Sequence, residues 1–248
     1  VDYFALDHDE GQFDGYLKRY GTFAGTGITS FRMPSNLQYI APETFRNCEQ
    51  LKTFYIGKAF RGKINYGEEG DPDTLFLYYA PIRLIQIDKE NTSYQLQNEI
   101  LYTRDGHILC QALKNDNADS QLTIPSCVTE IADGAFYRNS EFGAIEVKGS
   151  LERIGISTFA CADVGSFYVK GGVNYLDRGS FYQSAISEWR CHGGVKKYEK
   201  SAFQDVDATN GYAIDMNAIT KLYQELLYVN ATTDLSYWVK TIWNWITM

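Results

Sequence analysis

The chain has 248 residues, 44% hydrophobic and 22% charged, the balance of a folded protein able to bury a sizeable core. Its 31 acidic against 23 basic residues give a net charge of −8, which argues against nucleic acid as a partner. No apolar run approaches the roughly 18 residues of a membrane span, and five dispersed Cys without a C-x-x-C pair argue against a zinc site or a disulfide frame.

What remains to be explained is an aromatic content of 15%, carried mainly by 19 Tyr and 14 Phe. The sequence shows no initiating Met and no signal-peptide core, as expected of a trimmed chain or a mature product. Residues 1–30 are expected to be an N-terminal cap or linker. Asp7-His8-Asp9-Glu10-Gly11 opens like a calcium loop, but Lys18 stands where an EF-hand needs its twelfth-position Glu.

From residue 31 a repeat sets in. Apolar–x–apolar triplets occur at Phe31/Met33, Phe54/Ile56, Ile85/Ile87, Leu122/Ile124, Ile145/Val147, Phe167/Val169 and Trp189/Cys191, with gaps of 23, 31, 37, 23, 22 and 22. Tyr212/Ile214 fits as an eighth. Three-residue alternation marks a strand with one buried face. A second column pairs an aliphatic residue with a Phe five positions later: Ile40/Phe45, Ile131/Phe136, Ile154/Phe159, Leu176/Phe181 and, more weakly, Tyr198/Phe203. A unit of about 22 residues cannot bury its own apolar face, so the pattern predicts a stacked solenoid. The triplets form one parallel sheet, one strand per repeat, and the Phe rows stack inside. Pro34-Ser35 and Pro125-Ser126 are expected to turn the chain off the sheet.

The longer gaps predict two insertions. Residues 63–73, polar and acidic, read as a loop. Within 88–121, a D-G turn at Arg104-Asp105-Gly106 lies between two apolar runs and predicts a β-hairpin protruding from the solenoid edge. The C-terminus changes period. Ile219, Leu222, Tyr223, Leu226 and Leu227 predict an amphipathic helix capped by Asp215, and Leu235, Trp238, Val239, Ile242 and Ile246 a second, so residues 215–248 are expected to form a helical C-terminal cap.

The segment IPSCVTEIADGAF (124–136), five of whose 13 positions are identical in MPSNLQYIAPETF (33–45), resembles the BspA-type leucine-rich repeat. NTSYQLQNEILYTRDGHIL (91–109) is similar to that family's insertion, an N-x-x-Y element followed by an L-Y-x-x-D-G-x-x-L hairpin. The resemblance covers residues 31–214, with the hairpin at about 91–113. It implies an α+β repeat solenoid, a right-handed leucine-rich-repeat coil with one-strand-per-repeat parallel sheet, inserted hairpin and helical cap. It also implies an extracytoplasmic location, on a bacterial cell surface or secreted, as in Bacteroides and its relatives. The implied role is adhesion to host matrix proteins or to other bacteria. The partner is expected to be a host or bacterial surface protein or a glycan, and neither a cofactor nor a metal is expected. The later repeats depart from the family in carrying Gly149, Gly171 and Gly193 in place of the I-P-S turn. The Cys or Asn that the family often places three residues after the Phe is met by Cys48 and Asn139, while Cys161 comes one position early.

No catalytic motif is present, and His8, His107 and His192 share no ligand spacing. The acidic run Glu68, Glu69, Asp71, Asp73 reads as a solvated loop rather than a calcium site. Cys191, flanked by Arg190 and His192, is expected to point inward. Asn91 and Asn230 fall in glycosylation sequons that matter only in a eukaryotic secretory source. If the triplet flanks point inward, the middle residues form an outward stripe: Arg32, Tyr55, Gln86, Thr123, Glu146, Tyr168 and Arg190. The expected binding surface is the sheet face together with the inserted hairpin, and Arg32, Tyr55, Gln86, Tyr168 and Arg190, with Trp245 from the C-terminal aromatic cluster, are the candidate partner-binding residues. Two other readings compete with a binding module: a spacer or display domain of a larger surface protein, and, last, an enzyme with a site in the insertions.

Overall fold

The structure is a computed structural model that describes residues 3–4, 8–13, 16–67, 74–113, 120–139 and 142–203. The triplet column is a front wall of parallel strands. Ser30–Arg32, Thr53–Ile56 and Leu84–Ile87 form one sheet, and Ser120–Ile124, Phe142–Val147, Asp163–Val169 and Ala185–Cys191 a second. The register pairs equivalent triplet positions throughout, for example Ile145 with Phe167 and Phe167 with Trp189. Phe31 and Ile87 are half-buried, and the other triplet flanks are buried.

The aliphatic–Phe column proves to be a second parallel wall, so the expectation of one strand per repeat is corrected to two. Glu130–Ile131, Leu151–Ile154, Val173–Leu176 and Val195–Tyr198 pair in parallel, and each closes on the residue that precedes its Phe by five, Ile131, Ile154, Leu176 and Tyr198. The strands are disguised in the sequence because their inward residues fall three apart, as in Leu151/Ile154 and Val173/Leu176, rather than two. A third wall carries the Phe ladder. Rings 136 and 159 stack with centroids 4.7 Å apart, 159 and 181 at 5.0 Å, 181 and 203 at 5.1 Å. The backbone of this wall bonds to the next coil as well: Phe136 N–H donates to Thr158 O, Phe159 to Ser180 O and Phe181 to Ala202 O. The same pattern joins Phe23 to Thr44 O, and Phe23 stacks on Phe45 at 5.8 Å, so the column reaches one period further back than the sequence shows.

The Phe turn bends twice through left-handed backbone. Gly134, Ser157 and Gly179 lie two residues before the Phe with φ of 58°, 51° and 59°. Asn47, Arg138, Cys161 and Gln183 lie two residues after it, with φ of 57°, 53°, 55° and 49°. Cys161 therefore occupies a corner, and the small buried position next to it is a column of Cys48, Asn139, Ala162 and Ser184, which corrects the apparent irregularity. Gly134→Ala and Gly179→Ala test the corner. A Cβ at Gly179 meets nothing nearer than 3.5 Å, so it carries only backbone strain, about 1 kcal/mol. At Gly134 the Cβ would fall 2.3 Å from the Tyr78 ring, adding roughly 1–3 kcal/mol of overpacking. Chemical denaturation of the two variants should separate them by that margin; equal losses would show that the Tyr78 contact is immaterial.

Both Pro-Ser turns form as expected, closed by Leu37 N–H to Pro34 O and Val128 N–H to Pro125 O. The D-G turn also forms, with Asp105 Oδ1 accepting from Thr103 Oγ1 at 2.6 Å and from His107 N–H at 3.0 Å. The hairpin does not protrude, however. Tyr94–Gln97, Ile100–Thr103 and Ile108–Ala112 make an antiparallel meander whose last strand joins the second wall beside Glu130–Ile131. The reason lies in its apolar run. Ile100, Tyr102, Leu109 and Ala112 pack into one core cluster, and Leu101 and Cys110 into the other. Both faces are covered, so the meander is a wedge, and the front wall breaks into three and four strands around it.

The family's N-x-x-Y element anchors this wedge. Asn91 Nδ2 donates to Gly57 O and Phe60 O, Asn91 Oδ1 accepts from Ser93 and Tyr94 N–H, and Tyr94 Oη donates to Gly62 O at 2.6 Å. Asn91 is thus buried and fully bonded, which closes its sequon to a glycan. Residues 63–73 are not wholly loop: Lys63–Ile64 pairs in parallel with Thr74–Leu75. Glu68, Glu69, Asp71 and Asp73 lie outside the described residues. So do Tyr212/Ile214, Asn230 and the predicted helical cap at 215–248. Among the described residues there is no α-helix, only a 3-10 turn at Leu77–Tyr79, so the α+β class gives way there to an all-β solenoid. The Asp7-Gly11 region includes an antiparallel pair, His8–Phe13 with Tyr16–Tyr20. No helix among the described residues is long and apolar enough to cross a membrane.

Candidate functional site

The register sets the middle residues side by side, in two blocks. Arg32, Tyr55 and Gln86 align in the first front sheet, and Thr123, Glu146, Tyr168 and Arg190 in the second. The wedge separates the blocks, so the expected single stripe is two. Trp245 lies outside the described residues.

In the first block the Arg32 guanidinium lies 3.9 Å from the Tyr55 ring centroid, and Tyr55 Oη donates to Asp88 Oδ2 at 2.8 Å. That bond holds the phenolic proton and raises the Tyr55 pKa. The Glu90 N–H, followed by Tyr55, holds the Asp88 carboxyl below its ordinary value.

In the second block Tyr168 Oη and His192 Nε2 are 3.0 Å apart, with the rings edge to face at 5.2 Å. Arg190 pairs with Glu188 two residues earlier on its own strand. Glu146 sits between Lys148 and Lys170, the latter at 3.2 Å; Lys148 foremost lowers its pKa, and Glu146 in turn raises that of Lys170. Ser166, Phe167, Tyr168, Glu188, Arg190 and His192 outline an open depression of about 240 Å³. Cys191 points inward, as expected, and its thiol donates to Gly194 O at 3.3 Å. Cys48 and Cys110 are likewise buried, Cys161 is half-buried and Cys127 is exposed.

A second concavity was missed in the sequence because it belongs to the second wall. The register there aligns Glu130, Arg153, Tyr175 and Lys197 on the outer face. Arg153 bonds Glu130 Oε1 at 2.9 Å, Asp133 Oδ1 at 2.6 Å and Asp177 Oδ2 at 2.9 Å. Tyr175 Oη donates to Glu199 at 2.7 Å. Glu130, Asp133, Arg153, Asp177 and Glu199, with Lys63, Tyr66 and Arg178, line a groove of about 800 Å³. Burial raises the Asp133 pKa, while the neighbouring Arg153 opposes it. In the sequence these positions are Glu130, Arg153, Tyr175 and Lys197, each directly before the last inward residue of its strand. Among the described residues no group of His, Cys, Asp and Glu is placed to hold a metal ion.

Stacked coils with two parallel walls and a turn wall define a β-solenoid. The family model for the BspA type leucine rich repeat region matches six copies, over residues 19–66 and 106–210. That is more than half of the sequence, and the chain belongs to this family. No curated protein matches it. Among solved structures it is similar to the pneumococcal vaccine antigen PcpA, at 14% identity over 81% of this chain and 66% of that one, with a TM-score of 0.51. A leucine-rich repeat protein from Eubacterium ventriosum matches at 14% identity over 74% of this chain and 66% of that one, with a TM-score of 0.38. At this identity the PcpA likeness establishes a shared fold. The chain spans just under two thirds of each of these structures.

Proposed function

We propose that the chain is a non-enzymatic binding module, displayed on a bacterial cell surface or secreted, that takes a protein or glycan partner on its front wall. The observation that carries this reading is the second block. There Tyr168 and Arg190 stand outward in register over a depression, and Tyr and Arg are the side chains most enriched at binding hot spots. Membership in the BspA-type family and the fold shared with a vaccine antigen support display outside the cell. The hairpin contributes little to such a surface, since both of its long strands are buried; Leu96, 40% exposed, is its one large apolar group in solvent.

The spacer reading draws support from the same block, where Glu188 pairs with Arg190, and Glu146 with Lys148 and Lys170, as charges on a solvated sheet do. The enzymatic reading has the second-wall groove, but three of its carboxylates are held by Arg153 and the fourth by Tyr175, so none stands ready as a base. The discriminating measurement is a screen of the chain against immobilised matrix proteins and glycans, repeated with Tyr168→Ala/Arg190→Ala. The double variant is expected to keep its fold and lose at least about tenfold in affinity. Unchanged binding by the folded variant removes the second block from the site.

A further inference from the structure

We propose that the depression between Ser166, Tyr168, Glu188, Arg190 and His192 is a subsite for one uncharged pyranose ring of a glycan; this rests on the front wall being the binding face. Size is the first argument. About 240 Å³ lies below the 300–1,000 Å³ of sites for drug-sized ligands and suits a single ring.

Hydrogen-bonding capacity is the second argument. A sugar hydroxyl both donates and accepts, so a pair of neighbouring hydroxyls needs an acceptor beside a donor. Glu188 and Arg190, paired on one strand, present a carboxylate and a guanidinium next to each other, and the Ser166 hydroxyl, the Tyr168 phenol and the His192 ring add groups of both kinds around the rim. The Tyr168 ring supplies an apolar edge for the C–H groups of a pyranose, and its bond to His192 holds it in place.

Charge is the third argument. The Glu188–Arg190 pair cancels, so the lining itself carries no net charge to select a charged sugar, a phosphate or a basic side chain, and the chain as a whole, at −8, repels polyanions. The surroundings also disfavour a protein partner at this spot. Interfaces between proteins have an apolar centre. The two large apolar residues exposed among the described residues, Leu84 at 45% and Leu96 at 40%, lie in the first front sheet and the meander, away from the second block.

The test is NMR of the full chain titrated with the methyl glycosides of glucose, galactose, mannose and N-acetylglucosamine, with sialic acid as the charged comparison. At least one neutral glycoside is expected to shift His192, Tyr168 and Ser166 signals saturably, with a dissociation constant on the order of 1 mM. Tyr168→Ala and Glu188→Ala should each weaken this by about tenfold, the loss expected when a hydrogen bond to a charged or aromatic anchor is removed. The inference falls if no glycoside shifts these signals, if the shifts persist in both variants, or if sialic acid binds there in preference to every neutral sugar. If the matrix-protein screen finds a partner that depends on Tyr168 and Arg190 while no glycoside responds, the sugar subsite alone is lost and the binding face stands.

Discussion

Replacing Phe159 by Ala should destabilise the chain by about 3–5 kcal/mol, the range for removing a fully buried Phe. The position is at the centre of the ladder, with no exposed surface, stacked on Phe136 on one side and Phe181 on the other and met edge-on by Phe167. In a globular core the surroundings would partly collapse into the space. In a solenoid each coil touches only its neighbours, and stability is close to a sum of coil and interface contributions. Losing this ring weakens two interfaces at once. It also leaves a gap that the axial hydrogen bonds of Phe136 and Phe159, to Thr158 and Ser180, hold open. Amide exchange should therefore rise across 142–203 while the first cluster, from Met33 to Leu113, keeps more of its protection. A loss below about 1 kcal/mol in denaturant, or exchange rising equally in both clusters, would contradict this. The second outcome would mean that the meander couples the two cores into one cooperative unit.

What could be read from the residues follows from which walls obey a simple period. The front wall alternates strictly, so Phe54/Ile56 through Trp189/Cys191 and the exposed middle positions are all visible, and the Phe ladder is visible because its spacing is constant. The second wall was hidden because Leu151 and Ile154, or Val173 and Leu176, point inward three apart, and with it was hidden the groove around Arg153. The meander was found by its D-G turn but misplaced, since a turn signal fixes a hairpin and says nothing of what covers it. The continuous apolar runs at Ile100–Tyr102 and Ile108–Cys110 carried that information, a mark of strands buried on both faces. On the front wall, the outward positions of Arg32, Tyr55, Gln86, Tyr168 and Arg190 were legible. Their division into two blocks was not, because it results from the wedge. Nor were the partners that Tyr168 and Arg190 find in His192 and Glu188, which depend on side-chain directions across and along strands.

Arg153→Met should cost about 3 kcal/mol at neutral pH, toward the lower end for breaking a buried ion pair because the Arg153 side chain remains 21% exposed. Methionine keeps most of the stem packing and removes the charge, leaving Glu130, Asp133 and Asp177 facing one another. Asp133 carries the pH dependence. Burial already raises its pKa above the ordinary 3.8, and Arg153 is the main influence that opposes the rise. A carboxyl with a raised folded-state pKa contributes most to stability below its unfolded value, and that contribution is lost as pH rises through the folded value. Taking Arg153 away raises the Asp133 value further, so the cost of the substitution should be small near pH 3.8, where the carboxyl takes up its proton, and should grow toward neutrality. Adding Asp133→Asn to Arg153→Met should recover part of the loss at neutral pH. An Asn in this place keeps an oxygen for the Ile156 N–H, which Asp133 Oδ1 accepts at 2.8 Å, without a buried charge. Denaturant midpoints of the single and double variants at acid and neutral pH decide the matter. A cost that is the same at both, with no recovery in the double variant, would mean that Arg153 acts by packing its stem between coils and that the ion network is incidental.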